Sequence, residues 1–425
     1  MKKATRVVPF FVLGLLVAGP RPALAQPTFS IEFQGPTWGA PDGAGGIPIL
    51  EGDVLIPFPP GTPPPAPAIV MPAAPPGLGL VVPPLVPFVE VDALSYGLDP
   101  PPTSLQMIDY ALSVDEYAVG RPGQPPPSVF SEGAFGFAEA SADVYVVRTR
   151  PGPVPPSALG RNSGIFDGNG LPPFGAPGIN LLEPNPPTPL GLPDPGDTLD
   201  ALDMDSPPMH PVFFSLDYHI PDLLEIPPAN TGSAGFQGFV GGDVLLTPAP
   251  GAPPVPYAPA ALLGLDFNGG TPDVDDVDAL VVWDDGDLLY NPTVGPYSWE
   301  AGTDMVLYSV RRDSSIIGLV DVLVGAPIEE GDVLVPVFDV VDGIPMFDGV
   351  EGDFDPGIFA SAESLGLATV RSGTAVGWGV INPAYGLDVW GDDLDALDEL
   401  PGPVWMIFSD GFESGDTSAW SNTVP

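Results

Sequence analysis

The stretch Asp278-Ala279-Leu280-Val281-Val282-Trp283 carries the pattern on which the fold prediction rests. It is short, rich in β-branched and aromatic residues, and bounded by glycine and proline, as expected of a β-strand. Its first three residues, Asp-Ala-Leu, recur in the chain at Asp92, Asp200 and Asp395. This recurrence indicates a repeated structural unit rather than one isolated strand.

Three further signatures recur in a fixed order with Asp-Ala-Leu. The first is an apolar or aromatic residue, then serine, an aliphatic residue and usually a charge, with its serine at Ser30, Ser113, Ser215 and Ser309. The second, Gly-Asp-Val-Leu, begins at Gly52, Gly242 and Gly331, with a degenerate form at Ala142. The third, Leu-Gly-Leu, begins at Leu78, Leu190, Leu263 and Leu365. Their shared order predicts four divergent repeats of about 83 to 102 residues.

The composition favours an all-β fold with short strands. The chain has 63 prolines and 53 glycines among 425 residues, which argues against long helices. Further strands are predicted at 143–147 and 305–310, whereas Leu-Gly-Leu fits either a short strand or one helical turn. The proline-rich stretches 57–87 and 151–195 are predicted to be loops. A four-bladed β-propeller is favoured, with tandem β-sandwich modules as the alternative.

The N-terminus predicts export. Lys2, Lys3 and Arg6 precede a short apolar run, and Ala23-Leu24-Ala25 is a small-x-small cleavage site. Residues 1–25 are therefore assigned to a signal peptide, 26–407 to the repeat domain and 408–425 to a C-terminal tail. An uncleaved anchor is the alternative, although the run is short of the roughly 20 residues that span a bilayer. The expected location is extracellular or at the cell surface, with the periplasm also open.

The charge limits the partners of the chain. It has 11 basic and 55 acidic residues and a formal net charge of −44. Both lysines lie in the predicted signal peptide. Because affinity for nucleic acids and anionic lipids depends on Lys and Arg contacts, no nucleic acid and no membrane span are expected. Self-repulsion strains such a fold, and bound divalent cations would relieve it.

Acidic clusters beside the repeats are candidate calcium ligands, because calcium prefers carboxylate and amide oxygens. The first cluster, residues 266–278, combines acids with two glycines and resembles the looser calcium loops of dockerin-type repeats. The spacing of its residues does not match an EF-hand. Glu90 and Asp92 in the first repeat, and Asp197 to Asp205 in the second, are further acids. The predicted metal ligands are Asp266, Asn268, Asp273, Asp275, Asp276, Asp278, Asp392, Asp393 and Asp395.

The sequence contains no recognisable catalytic motif. There are two histidines and no cysteine, so a zinc site of the usual kind lacks ligands. No Gly-x-Ser-x-Gly elbow occurs. Acid pairs of the kind used by glycosidases are inevitable among so many carboxylates. Trp283, Trp299, Trp378 and Trp390 stand near acids and could bind sugar, but core aromatics are the more ordinary interpretation.

Two resemblances accompany these patterns. The C-terminal Asp410-Gly411-Phe412-Glu413-Ser414-Gly415-Asp416, followed by Ser-x-Trp-Ser, resembles a tail found at the ends of secreted bacterial proteins. It is also similar to the opening strand of concanavalin-like jelly rolls. The repeat cycle is similar to that of secreted bacterial repeat proteins in which Phe-Ser-x-Asp and Asp-Asp-Leu-Asp-Ala-Leu recur. These resemblances imply an exported bacterial protein and no particular activity.

The expected function is therefore non-enzymatic. The chain is predicted to be an exported acidic β-repeat protein, stabilised by calcium, that binds an extracellular carbohydrate or protein or forms part of the cell envelope or matrix. The alternative is an extracellular hydrolase that acts on polysaccharide through an unidentified Asp/Glu pair. The oligomeric state does not follow from the sequence.

Overall fold

A computed structural model describes most of the repeat domain. The described residues are 26–33, 35–57, 66–80, 90–97, 109–115, 118, 120–133, 140–150, 157–158, 160–170, 177–181, 197–206, 209–217, 237–266, 275–291, 304–321, 323–336, 340–341, 344–345, 356–377, 379 and 381–400. The predicted signal peptide 1–25 and the predicted tail 408–425 lie outside these residues.

The chain forms a four-bladed β-propeller, and each blade is an antiparallel sheet with four main strands. From the axis outward, blade 1 contains β19 (Ala396–Leu400), β1 (Gln26–Ser30), β2 (Val54–Ile56) and β3 (Ala68–Met71). Blade 2 contains β4 (Ala93–Ser95), β5 (Asp109–Ser113), β6 (Val144–Arg150) and β8 (Ser163–Phe166), and β7 (Ser157–Ala158) also pairs with β6.

Blades 3 and 4 repeat this order. Blade 3 contains β9 (Leu199–Ser206), β10 (Met209–Leu216), β11 (Val244–Thr247) and β12 (Val255–Ala258). Blade 4 contains β13 (Val277–Trp283), β14 (Met305–Val310), β15 (Val333–Val335) and β18 (Gly357–Ala360). A separate ribbon pairs β16 (Val340–Val341) with β17 (Ile344–Pro345). The helices within the described residues include α1 (Val129–Gly133), α2 (Ala260–Leu263), α3 (Ala362–Leu365) and a 3-10 turn at Ala140–Ala142.

The ring closes by pairing the two ends of the repeat domain. Strand β19 is antiparallel to β1, with Ser30 opposite Ala396 and Gln26 opposite Leu400. Blade 1 therefore takes its innermost strand from the end of the domain and its other three strands from the beginning. Closure of this kind removes the exposed sheet edges that an open row of blades would leave. The propeller prediction is confirmed.

The core consists of four apolar layers, one between each pair of neighbouring blades. Strand β13 shows how one strand contributes side chains to two of these layers. Its Leu280 and Val282 pack in the layer between blades 3 and 4, whereas Ala279 and Val281 pack in the layer between blades 4 and 1. Because both faces are buried, the strand is apolar at successive positions instead of alternating apolar and polar residues.

The Gly-Asp-Val-Leu signature supplies a side-chain clamp within each blade. In blade 3, Asp243 accepts hydrogen bonds from the backbone N–H groups of Ala260 (2.9 Å) and Val240 (3.2 Å). The corresponding aspartates are Asp53, which binds the N–H groups of Ala73 and Leu50, and Asp332, which binds those of Ala362 and Glu329. This aspartate fixes the turn before the third strand against the end of the fourth.

The Leu-Gly-Leu signature ends a helical turn in blades 3 and 4, whereas the blade 1 copy at 78–80 is not helical. Helices α2 and α3 end at Gly264 and Gly366, whose φ values of 83° and 89° are left-handed. Gly79 in blade 1 has a φ of 80°. Glycine is the ordinary residue for this helix-ending conformation. The copy at 190–192 lies outside the described residues.

The predicted strands at 143–147, 278–283 and 305–310 coincide with β6, β13 and β14. The loop prediction for 57–87 is wrong at its centre, because β3 lies there, and 151–195 likewise contains β7 and β8. The reason is that β3 is an outer strand whose flanking Pro67 and Pro72 fall outside it. Proline next to an edge strand removes no essential ladder hydrogen bond.

Candidate functional site: an acidic pocket on the propeller axis

The Asp-Ala-Leu signature forms the innermost strand of every blade. Strands β4, β9, β13 and β19 lie beside one another around the axis. Each signature aspartate stands at the start of its strand, as the residue just before it or as its second residue. The four aspartates, each at least 78 residues from the next in sequence, therefore reach one end of the axis together: Asp92, Asp200, Asp278 and Asp395.

The charged residue that ends the first signature forms a second ring at the same end. Its four members are Glu32, Asp115, Asp217 and Arg311. Each donates its backbone N–H to the carbonyl of the residue two places before the Asp-Ala-Leu aspartate of its own blade, at 3.2–3.4 Å. Those carbonyls belong to Asp393, Glu90, Thr198 and Asp276. The same backbone contact in all four blades shows that the repeats are structurally equivalent.

The two rings enclose a small pocket. Its volume is about 40 Å³, room for roughly two or three water-sized species. Of the described residues that line it, nine are acids and two are not: Glu32, Glu90, Asp92, Asp115, Asp200, Asp217, Asp278, Asp393 and Asp395, with Thr198 and Arg311. The pocket therefore concentrates negative charge in a small, partly open space.

Several pocket oxygens have no hydrogen-bond donor. Among the described residues, no donor reaches Asp200 Oδ2, Asp278 Oδ1 or Asp395 Oδ2, although these atoms are buried. The three residues are exposed by 9%, 4% and 8%. An unpaired buried carboxylate is costly, so such groups ordinarily pair with a cation or take up a proton. These oxygens point to a positively charged ligand.

The pKa values of the pocket acids reflect this environment. Burial and the charge of Asp217 raise the pKa of Asp200 to about 7. Burial and the neighbouring Asp115 raise the pKa values of Glu90 and Asp92 well above their ordinary range. Burial and nearby carboxylates do the same for Asp278 and Asp395. Without a cation, protons bound to these carboxyl groups neutralise part of the negative charge of the pocket.

The serine of the first signature links blades beside the pocket. Ser30 Oγ donates to the carbonyl of Val91 (2.6 Å), Ser215 Oγ to that of Val277 (2.6 Å) and Ser309 Oγ to that of Leu394 (2.7 Å). Each accepting residue directly precedes the Asp-Ala-Leu aspartate of the next blade. Ser113 differs, since it donates within its own blade to Ser141 and Asp143. The serine thus ties the start of the neighbouring blade's innermost strand to its own blade.

The pocket contains Asp278, Asp393 and Asp395 of the residues predicted to bind metal. Asp276 is buried one residue before β13, and its side chain fills the space that a Cβ on Gly241 would need. Asn268 and Asp273 lie outside the described residues.

Two other predicted ligands, Asp275 and Asp392, hold protein structure together, and the predicted ligand Asp266 accepts the Asp275 N–H on its Oδ1 (3.2 Å). Asp275 accepts hydrogen bonds from Ser314 Oγ (2.5 Å), the Ser315 N–H (2.6 Å) and the Asp266 N–H (2.7 Å). Asp392 accepts from the N–H groups of Thr37 (2.7 Å) and Ala368 (2.6 Å). Their oxygens already have donors, which the pocket oxygens named above lack.

One acidic group lies away from the axis. Carboxylate oxygens of Asp284, Asp287 and Asp304 lie within 4.8 Å of one another. Asp304 accepts hydrogen bonds from the N–H groups of Asp285 and Asn291, and Asp284 accepts from Gly286 and from the Tyr257 hydroxyl. Asp287 is exposed. This arrangement is that of an ordinary acidic turn.

The residues that sequence reasoning missed are those of the second ring, together with the pocket itself. Glu32, Asp115 and Asp217 are the charges that end the first signature, and their shared place in the repeat was the available signal. Of the tryptophans considered, Trp390 is buried and Trp283 is partly buried against the core. Trp299 and Trp378 lie outside the described residues.

Comparison with models of protein families, with curated proteins and with solved structures found no significant match. Within the described ranges, no helix has the length and apolar content that crossing a bilayer requires.

Proposed function

We propose that this chain is an exported, non-enzymatic β-propeller whose axial pocket binds calcium, and that it acts in extracellular binding of carbohydrate or protein or as a component of the cell envelope or matrix. The observation that supports a bound cation is that Asp200, Asp278 and Asp395 each have a buried carboxylate oxygen that no described hydrogen-bond donor reaches. A bound divalent ion would replace the protons on these acids and hold four blades through one centre.

Calcium fits the pocket better than magnesium or zinc. Calcium accepts six to eight oxygen ligands in flexible geometry, whereas magnesium keeps several of its waters and needs a near-ideal octahedron. The pocket offers many carboxylates and little room for water. Zinc favours histidine and cysteine, and neither lines the described part of the pocket.

The size of the pocket favours ion binding over the hydrolase alternative. Sites for small organic molecules are usually clefts of roughly 300–1,000 Å³, whereas this cavity is about 40 Å³. A sugar ring does not fit beside these carboxylates, so the acid pairs of the pocket are not placed to cleave a glycosidic bond. Binding of a larger partner then falls to the outer surface, where the strongly negative charge favours partners with basic or cation-bridged groups.

Thermal unfolding of residues 26–425 in excess calcium, in excess magnesium and in chelator tests the proposal. A ligand present at 100 times its dissociation constant adds about 2.7 kcal/mol to the stability of the folded state. We expect a higher melting temperature in calcium than in magnesium or chelator. Equal melting temperatures in calcium and chelator would rule out the cation.

Two matched variants locate the effect. Asp278→Asn removes a pocket charge and should reduce the calcium-dependent rise in melting temperature, while Asp287→Asn in the exposed acidic group should leave it unchanged. The reverse result would place the ion in the surface group formed by Asp284, Asp287 and Asp304. Fractionating cells of the source and finding the chain in the cytoplasm would contradict the export part of the proposal.

A further inference from the structure

The proposed cleavage of the signal peptide meets the fold at Gln26. Cleavage after Ala25 leaves Gln26 as the N-terminal residue of the exported chain. Gln26 is also the first residue of β1, where it pairs with Leu400 of β19 in the strand pair that closes the ring. Cleavage at this point therefore leaves β1 whole.

The contacts of β1 argue against an N-terminus further along the chain. Thr28 Oγ1 donates to the carbonyl of Asp398 (3.0 Å) and lies 2.6 Å from the Tyr96 hydroxyl. Phe29 packs in the apolar layer between blades 4 and 1. Cleavage beyond Thr28 would remove contacts that hold the closing strand β19. The cleavage pattern and the fold are therefore both satisfied by an N-terminus at Gln26.

The exported chain has almost no amine. The two lysines, Lys2 and Lys3, leave with the predicted signal peptide, and residues 26–425 contain seven arginines and no lysine. Guanidinium groups stay charged in proteins, so arginine does not act as an amine nucleophile. The α-amine of Gln26 is therefore the single primary amine of the exported chain.

An N-terminal glutamine holds an electrophile within reach of its own amine. Attack of the α-nitrogen on the side-chain amide carbon Cδ closes an unstrained five-membered ring. Because the two groups belong to one residue, the attack avoids the entropy cost of bringing two molecules together. An α-amine also loses its proton nearer to neutral pH than a lysine amine does, and only the unprotonated amine is a nucleophile.

We infer that Gln26 is a modification site, at which the exported chain closes its N-terminus as pyroglutamate and keeps no primary amine. A bond forms between the α-nitrogen and Cδ, and the bond from Cδ to the side-chain nitrogen breaks. The leaving nitrogen takes one proton from the α-amine and departs as ammonia, so no oxidant or co-reactant is needed. The residue keeps one N–H and its carbonyl for the pair with Leu400. This inference rests on the proposed export.

The modification limits how an envelope or matrix component could be held in place. A chain without a primary amine cannot form an isopeptide bond through its own amine or a Schiff base with a sugar aldehyde. Attachment must then use carboxylates or non-covalent contacts. The modified residue lies away from the cation site, because Gln26 and Ser30 are at opposite ends of β1 and Ser30 is the one beside the pocket.

Intact mass and amine labelling of the chain recovered from outside an exporting bacterial host test the inference. We expect the mass of residues 26–425 less one ammonia, with the loss located in the N-terminal peptide by fragmentation. An amine-reactive ester should leave the unfolded chain unlabelled. Gln26→Asn is the matched control, because it keeps the side-chain amide but would have to close a strained four-membered ring. It should give the full mass of residues 26–425 and one label per chain.

The outcomes separate this inference from the export on which it rests. An exported wild-type chain with the full mass of residues 26–425 and one label would overturn the pyroglutamate and leave export intact. Cleavage at another residue would do the same, because Gln26 would not be terminal. A chain retained in the cytoplasm at the mass of residues 1–425, with Lys2 and Lys3 labelled, would contradict both. If Gln26→Asn is not exported, Gln26→Ala supplies the same free amine.

Discussion

Two aspartates three residues apart occur at the inner strands β9 and β19, and their surroundings differ sharply. At the pocket end, Asp200 and Asp395 have buried oxygens that no described donor reaches. Three residues further along the same strands, Asp203 and Asp398 are exposed by only 2% each but accept hydrogen bonds from neighbouring blades. Asp203 accepts from Ser95 Oγ (3.0 Å) and from the Val282 N–H (2.5 Å), and Asp398 accepts from the Tyr96 N–H.

Two kinds of buried acid differ here in their hydrogen-bond donors and not in residue type. At one end the protein supplies the donors, so the carboxylate ties blades together. At the other end no described donor reaches the named oxygens, so a proton or, in our proposal, a cation neutralises the carboxylate. Since both positions lie on the same strands, the number of donors distinguishes their roles, and burial does not.

The strongest test of the comparison is Asp203→Ala. The change removes the acceptor of the Ser95 hydroxyl and of the Val282 N–H, whereas the Met204 N–H keeps Ser95 Oγ as an acceptor at 3.2 Å. Each unsatisfied buried donor costs about 1–3 kcal/mol, so we expect the free energy of unfolding to fall by roughly 2 kcal/mol or more. Denaturant titration should give the same loss in calcium and in chelator. A loss seen only in calcium would mean that Asp203 also belongs to the cation site.

The pocket acids should contribute to the pH dependence of stability, together with Asp53 and Asp332, whose pKa values burial raises to about 7 and about 6. Burial and nearby carboxylates raise the pKa of Asp200 to about 7 in the folded state, above an unfolded value of about 3.9. The folded state therefore binds protons more tightly than the unfolded state. The contribution of this group is fully present below about pH 4 and is lost as the pH rises through about 7. The raised pKa values of Glu90, Asp92 and Asp395 act in the same direction.

We therefore expect the melting temperature in chelator to fall by several degrees between about pH 5 and about pH 8, and calcium to remove the share of that fall that comes from the pocket, because it replaces the protons there. Asp200→Asn, which cannot ionise, should make the profile in chelator less steep. Parallel profiles for wild type and Asp200→Asn would show that the pocket does not control the pH response.

The smallest effect is expected at the interblade serines, which lie beside the pocket but have protein partners. Ser215→Ala removes the hydrogen bond to the Val277 carbonyl and should lower the free energy of unfolding by about 1 kcal/mol. The loss should be equal in calcium and in chelator. A much larger loss in calcium would show that this serine orients Asp278 for the ion. Having a hydrogen-bond partner in the protein would then no longer separate structural positions from ion-binding positions.

The repeats and the strand class were predictable from local pattern, whereas the pocket was not. Strand β13 is a short β-branched run, and Asp-Ala-Leu marked every innermost strand. Glu32 and Arg311 follow strands as ordinary charged residues would, and nothing in their local sequence shows that they meet. They lie in the same pocket because the ring of blades closes, and a short stretch of sequence holds no information about such long-range contacts.

The metal prediction illustrates the same limit. Clustering in sequence selected Asp275 and Asp392, whose oxygens turn out to accept backbone and hydroxyl hydrogen bonds. It also selected Asp278 and Asp395, which reach the pocket. Neighbouring aspartates in a strand-start sequence point in opposite directions, so proximity in the chain does not tell which of them faces the axis.

The pairing of β1 with β19 has a consequence for how the protein is made. Thr28 and Asp398 face each other across this pair, 370 residues apart in the chain. At a synthesis rate of roughly 5–20 residues per second, the first strand waits on the order of 20 to 75 seconds before its partner has been translated. Until then the inner edge of blade 1 has unpaired backbone N–H and C=O groups. Such an edge can pair wrongly with another nascent chain. A helper that shields this edge during translation would act on residues 26–30 first.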